Sequence, residues 1–298
     1  MLRGLHVPVL LGAGVTSYLV TIELLHRWRA LYMARLVEDT LADTGAGSTW
    51  RVHNLLTANE LRWEAWVAMS ARGLLSTYAI PTISGVLLQT GGFSNDVQRR
   101  YADMELLIRE FSENAADGEE RWAGQPDRAR KAIQRLNAIH DKYGSLILPR
   151  DMRYVLAVFM CTPALWCRGE GTGAGSAGGA GGTGLGLGLW NWLAGGTKGA
   201  RAHRWACRAM TKQEEQCVFR HWMGIGAMMR IHGLAWGSLD DAVTFKREYE
   251  AKYQRYKVSN RRVALATVEY FLQQYPSAAR PLVRLVVLQA LSALQVYV

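Results

Sequence analysis

His140 is the side chain in this sequence best placed to hold a metal. It follows Ile133, Leu136 and Ile139 at helical spacing, so a helix here carries an imidazole on an apolar face. A neutral ring nitrogen there can be a metal ligand, or the ring can be a core histidine bonded to a carbonyl; the spacing leaves both open. Arg100 and Asp103 lie one helical turn apart and can pair, either as a buried functional couple or as a surface ion pair. Arg135 and Asn137 precede His140 by five and three residues, so only Asn137 lies close to its face. A second set is His203 with Cys207 and Cys217 with His221, each pair one turn apart. Four such ligands can hold zinc tetrahedrally, though exposed or core residues are the plainer assignment.

The elements that must position these residues are helices. Apolar positions recur at three- and four-residue spacing over Leu55–Ser76, and Pro81 opens a short helix that ends at Gly91-Gly92. Ser94 or Asn95 is expected to cap a helix to Phe111, and Asp127 the His140 helix, which Gly144 ends. Asp151 is expected to cap a helix over Met152–Phe159, before Pro163. Thr211 with Glu214 has capping-box spacing, and Ser238 with Asp241 marks another start. Ser259 or Asn260 begins the next helix and Pro281 the last. No alternating strand pattern of useful length appears, so the expected fold class is all-α.

The chain has 298 residues, about half of them apolar, enough for a core that encloses a ligand. Its net charge is +10, but Lys and Arg are interleaved with Asp and Glu and no long basic run appears, which argues against a nucleic-acid partner. Val7–Ile22 carries no charge and is followed by His26, Arg27, Arg29 and Arg35. This predicts an N-terminal membrane anchor helix within residues 1–39, with the bulk of the chain facing the cytosol. Thr40–Thr49 reads as a linker, and residues 50–298 as the catalytic domain. The Gly-rich stretch 169–189 reads as a disordered insertion. Cys161, Cys167, Cys207 and Cys217 do not resemble a disulfide framework and are expected to be reduced thiols.

Six segments, in order, resemble the mpaB-type ER-bound oxygenases and the rubber oxygenases (latex-clearing proteins). They are YAIPTISGVLLQTGGF (Tyr78–Phe93), QRRYADMELLIREF (Gln98–Phe111) and ARKAIQRLNAIHDKYG (Ala129–Gly144). After them come LPRDMRYVLAVFMCTPALW (Leu148–Trp166), MTKQEEQCVFRHWMGIGAMM (Met210–Met229) and REYEAKYQRYKVSNRRVALATVEYFL (Arg247–Leu272). The resemblance implies an all-α, multi-helix haem-binding domain of the rubber-oxygenase type behind a membrane anchor. It implies haem b and O2-dependent cleavage of a C=C bond in an isoprenoid-like or other lipophilic substrate, at the endoplasmic reticulum membrane. His140 matches the family's Ile-His position, the axial ligand of the haem iron.

The same resemblance assigns Arg100 to the family's Arg-x-x-x-Thr run, and the one-turn spacing of Asp103 from Arg100 makes the two the expected catalytic couple. Arg100, Arg135 and Asn137 are expected to help bind the cofactor, by a propionate or a neighbouring backbone group. The chain departs from the pattern: Asp103 and Met104 stand where rubber oxygenases carry lysine and threonine, which argues against a lysine-capped iron. A non-enzymatic membrane-anchored scaffold or haem sensor on the same fold is the alternative expectation.

Overall fold

The computed structural model describes residues 6–42, 49–60, 73–113, 128–168, 209–273 and 275–293. Its elements are helices, and no strand occurs among the described residues. The chain divides into two compact units, Met1–Thr44 and Gly45–Val298.

The first unit is built on helix α1, His6–Ala42. Helix therefore runs three residues into the expected linker and begins again at its last residue, Thr49, while residues 43–48 lie outside the described residues. Trp28 stacks on Tyr32 one turn away, and Glu23 pairs with Arg27 at 2.9 Å. Among the described residues no helix is long and apolar enough to cross a membrane. The expected transmembrane anchor is therefore not borne out. The uncharged run Val7–Ile22 is sixteen residues long, short of the roughly 20 that span a bilayer. Beyond it α1 turns polar, with Glu23, Arg27, Arg29, Glu38 and Asp39.

The second unit holds the remaining helices. They are α2 (Thr49–Asn54, continued by a π-helical turn, Leu55–Glu60), a helical stretch at 73–78, α3 (Pro81–Gln89) and α4 (Gly92–Asn95). There follow α5 (Val97–Glu113), α6 (Arg128–Tyr143), α7 (Pro149–Cys167), α8 (Lys212–Met228), α9 (Leu239–Tyr253), α10 (Val258–Leu272) and α11 (Arg280–Ala293). Helix α5 packs on α6, α7 on α8 and α9, α2 on α5 and α8, and α10 on α3 and α11.

Local chemistry sets these boundaries. At α8 the capping box forms as expected: Thr211 Oγ1 accepts from Glu214 N at 3.2 Å, and Thr211 N donates to Glu214 Oε2 at 2.8 Å. Ser238 Oγ accepts from Asp241 N at the start of α9. Gly144 ends α6 with φ 44°. Three expectations are corrected. Asp96, not Ser94 or Asn95, caps α5, its Oδ1 taking Arg99 N at 3.0 Å. Helix α7 starts at Pro149 behind Leu148, which places Asp151 inside the first turn rather than at the cap, and it continues through Pro163. Asn260 is not a cap but a buried bridge. Its Nδ2 donates to the Ala79 and Arg255 carbonyls, and its Oδ1 accepts from Ser84 Oγ at 2.7 Å.

Cys161 and Cys217 are free and buried, but Cys167 is disulfide-bonded, with its partner outside the described residues. The expectation of four reduced thiols therefore fails. Spacing along the chain carries no information on such a pairing. The Gly-rich stretch 169–189 lies outside the described residues.

Candidate functional site

Helices α3 to α8 enclose a cavity whose wall is mostly aliphatic and aromatic. A water-sized sphere can be centred in about 220 Å³ of it, more than tenfold the roughly 10–15 Å³ that admits one water. The stripe predicted on α5 supplies Met104, Leu107, Ile108 and Phe111, and the face predicted on α6 supplies Leu136, Ile139 and His140. Leu146 lines the cavity yet is 47% exposed, so the opening lies at the turn between α6 and α7.

His140 sits in this wall, half-buried at the last turn of α6. Burial lowers its pKa below the ordinary 6.5, and the Arg100 and Arg230 guanidinium groups push the same way against Asp141. The ring is accordingly a neutral donor near pH 7. Arg100 lines the same cavity from α5. Its Nε is buried without a hydrogen-bond partner. The Arg100 side chain passes over Gly92, where a Cβ would meet its Cδ at 3.1 Å and its Cγ at 3.2 Å.

The other expected residues fall elsewhere. Asp103 is exposed and lies 4.0 Å from Arg99, so the expected Arg100–Asp103 pair does not form. The two side chains are three positions apart, and α5 turns Arg100 inward while Asp103 faces solvent. Asn137 Nδ2 donates to the Met228 carbonyl at 3.0 Å, which fixes the end of α8 against α6. Arg135 is exposed and does not line the cavity. Met104, in the place of the family's threonine, is part of the wall. Cys217 and His221 are buried on α8, and His203 and Cys207 lie outside the described residues. Among the described residues no three His, Cys, Asp or Glu side chains are grouped to hold a metal ion. The thiols of Cys161 and Cys217 are pushed up to about 12 and about 11 by burial, which makes them inert.

Two groupings were not legible in the sequence. Asp151 lines the cavity and accepts a hydrogen bond from Tyr249 OH, 98 residues away on α9. Behind another wall residue, Trp222, lies a buried histidine pair. Trp222 Nε1 donates to His53 Nε2 at 3.2 Å, and His53 stacks on His221 with ring centroids 4.5 Å apart. Burial holds His53 down to about 4.

An all-helical domain with an apolar cavity, a neutral histidine and an arginine with a partnerless Nε in its wall is the arrangement on which the comparisons bear. The chain is homologous to curated proteins named ER-bound oxygenases, as the sequence resemblance to the mpaB-type family led one to expect. It is 26% identical to ER-bound oxygenase mpaB of Penicillium roqueforti (strain FM164) over 225 residues, 70% of this chain and 60% of that protein. It is 36% identical over 94 residues to ER-bound oxygenase mpaB of Penicillium brevicompactum, which is 30% of this chain and 22% of that protein. The chain thus spans only part of the length of these relatives. No family model matches it, and no solved structure does.

Proposed function

We propose that this chain is a haem b-dependent oxygenase that uses O2 to cleave a C=C bond of an isoprenoid-like or other lipophilic substrate, working at the endoplasmic reticulum membrane. The observation that carries the reading is His140 facing an apolar cavity that also holds Arg100. The donor set suits the group. A buried, neutral imidazole is the usual axial donor to haem iron, and the buried Arg100 Nε lacks a partner that a propionate would supply. His140 would hold the iron, and Arg100 would take a propionate. Haem, when bound, supplies the activation of O2. The chain's own contribution is positioning: the aliphatic wall of α3, α5, α6 and α7 binds the hydrocarbon and excludes water. Oxygenase-named homologues and the apolar lining of the cavity support the same reading. Attachment to the membrane rests on the relatives' names and on the apolar side chains that α1 exposes, among them Leu24, Leu25, Trp28 and Leu31.

The absorption spectrum of the purified chain tests the assignment. A Soret band is expected in the wild type and is lost or displaced in His140→Ala. An unchanged band in the variant removes His140 from the iron, and a chain that stays colourless after haem supplementation overturns haem dependence altogether.

A further inference from the structure

We propose that Asp151, held by Tyr249, is the polar reader of the cavity: it accepts a hydrogen bond from a hydroxyl group on an otherwise apolar, isoprenoid-like ligand. The proposal deepens the functional reading and rests on the cavity being the substrate chamber.

Asp151 is the one carboxylate in the described cavity wall. It is 5% exposed and lies in the first turn of α7, where the helix dipole favours an anion. Its position is fixed from a second helix. Tyr249 OH donates to its Oδ1, and Tyr249 stacks on Tyr154 with centroids 4.7 Å apart. Tyr154 is in turn anchored by its hydroxyl to Glu250 Oε1 at 2.9 Å and the Ser76 carbonyl at 3.2 Å. The nearest cation is loose: Arg150 Nε lies 3.9 Å from Oδ1, and its guanidinium rests on the Tyr253 ring. Burial and the bond to Asp151 push the Tyr249 phenol well above its usual range, as an anionic partner should.

A carboxylate offers about four acceptor sites, and Tyr249 fills one. Against an apolar wall, acceptors left without donors are costly. Water can fill them while no ligand is bound. A hydroxyl on an incoming ligand replaces that water, whereas a pure hydrocarbon or an ether strips it and returns nothing. Arg100 cannot take this role, because a guanidinium only donates. Discrimination of this kind, by leaving a buried polar group unpaired, is stronger than discrimination by apolar shape.

The test compares farnesol with farnesyl methyl ether, which keeps the oxygen acceptor but lacks the donor. Binding to the purified full chain is measured by titration calorimetry, with haem content recorded by the Soret band. The wild type is expected to favour the alcohol by roughly ten- to a hundredfold, the range of one hydrogen bond to a charged group. Asp151→Asn should cut that preference several-fold. Tyr249→Phe should keep or enlarge it, because the variant frees on Asp151 the acceptor site that Tyr249 fills. Equal affinity for the two ligands in the wild type, or a Tyr249→Phe variant that loses the preference as Asp151→Asn does, overturns the proposal; the second result leaves Asp151 as a mere tether for α9. Binding of neither ligand overturns the substrate chamber and the proposal together. A preference for the alcohol in a colourless chain upholds Asp151 while refuting haem dependence. A haem-bearing chain with no preference does the reverse.

Discussion

Arg230 adopts a left-handed backbone, φ 58°, between the wall residues Met229 and Ile231, and its guanidinium binds both oxygens of Asp141 at 3.0 and 2.8 Å. Asp141 follows His140 directly, so this exposed pair acts on the His140 ring through space. Arg230 lowers the His140 pKa and Asp141 raises it. Protonation of His140 competes with ligation, so haem should be retained below pH 6.5, the ordinary histidine value, and released only at lower pH. Arg230→Gln removes a cation and should move the release midpoint upward by less than about one pH unit, as expected for a solvent-screened charge. A pH titration of the Soret band in both proteins reads the shift; a midpoint that moves down contradicts it. At the same scale Arg100→Met should weaken haem retention while leaving the fold intact, which a haem-transfer assay and circular dichroism check together. His140 itself was legible in sequence because three isoleucine and leucine positions declare its face. The Arg100–Asp103 pair was misread because helical spacing sets proximity, whereas burial decides which of two cations, Arg99 or Arg100, turns toward solvent.

At the level of elements, two contacts decide whether the cavity keeps its walls. Helix α8 approaches α7 at Gly226, where a Cβ would meet Leu156 Cδ2 at 2.6 Å and Leu234 Cδ1 at 2.8 Å. Leu156 lines the cavity, so Gly226→Ala must push that side chain into the space a ligand needs. Overpacking of this kind costs typically 1–3 kcal/mol, about the range expected here. A lowered melting temperature together with weaker farnesol binding checks it. Asn260 ties α10 to α3 and to the Ala79 carbonyl. Asn260→Ala takes a donor from the Arg255 carbonyl, while the Ala79 carbonyl keeps Arg255 N and the Ser84 hydroxyl keeps Ser259 Oγ, so the expected cost is about 1–3 kcal/mol in all. Chemical denaturation should show a clear loss of stability, and an unchanged midpoint would contradict the bridge. Caps at Thr211 and Ser238 could be read from a few adjacent residues. The start of α7 could not, since Pro149 at a first turn and aspartate at a cap are both favoured by local rules. Tertiary contact settled the matter: Tyr249 claims the Asp151 carboxylate. The pairing of Cys167 was equally invisible, because it depends on distance in space and not along the chain.

For the whole molecule, the packing of α2 on α8 carries an acid sensitivity. His53 is buried, with its pKa lowered from 6.5 to about 4 chiefly by desolvation, and His221 stacked on it is also held well below 6.5, again chiefly by burial. A base kept neutral in the folded state gives the unfolded chain the extra proton at intermediate pH. Stability is therefore full above pH 6.5 and falls as the pH drops toward 4, the folded-state value of His53. The His53 shift alone corresponds to roughly 3 kcal/mol at 1.36 kcal/mol per pH unit. Urea denaturation at pH 7 and pH 4.5 measures the difference, and His53→Gln should flatten the profile in that window. A profile as steep in the variant as in the wild type would remove the histidine pair as its cause.

Gly92 shows how little chemistry can control a great deal. By offering only hydrogen, it leaves a trough through which the aliphatic stem of Arg100 runs toward the chamber. A methyl group there would deflect the arm rather than the backbone and carry the guanidinium away from the space it now borders. The reach of that guanidinium is thus set by a residue without a side chain, and any redesign of this cationic edge of the chamber begins with keeping position 92 bare.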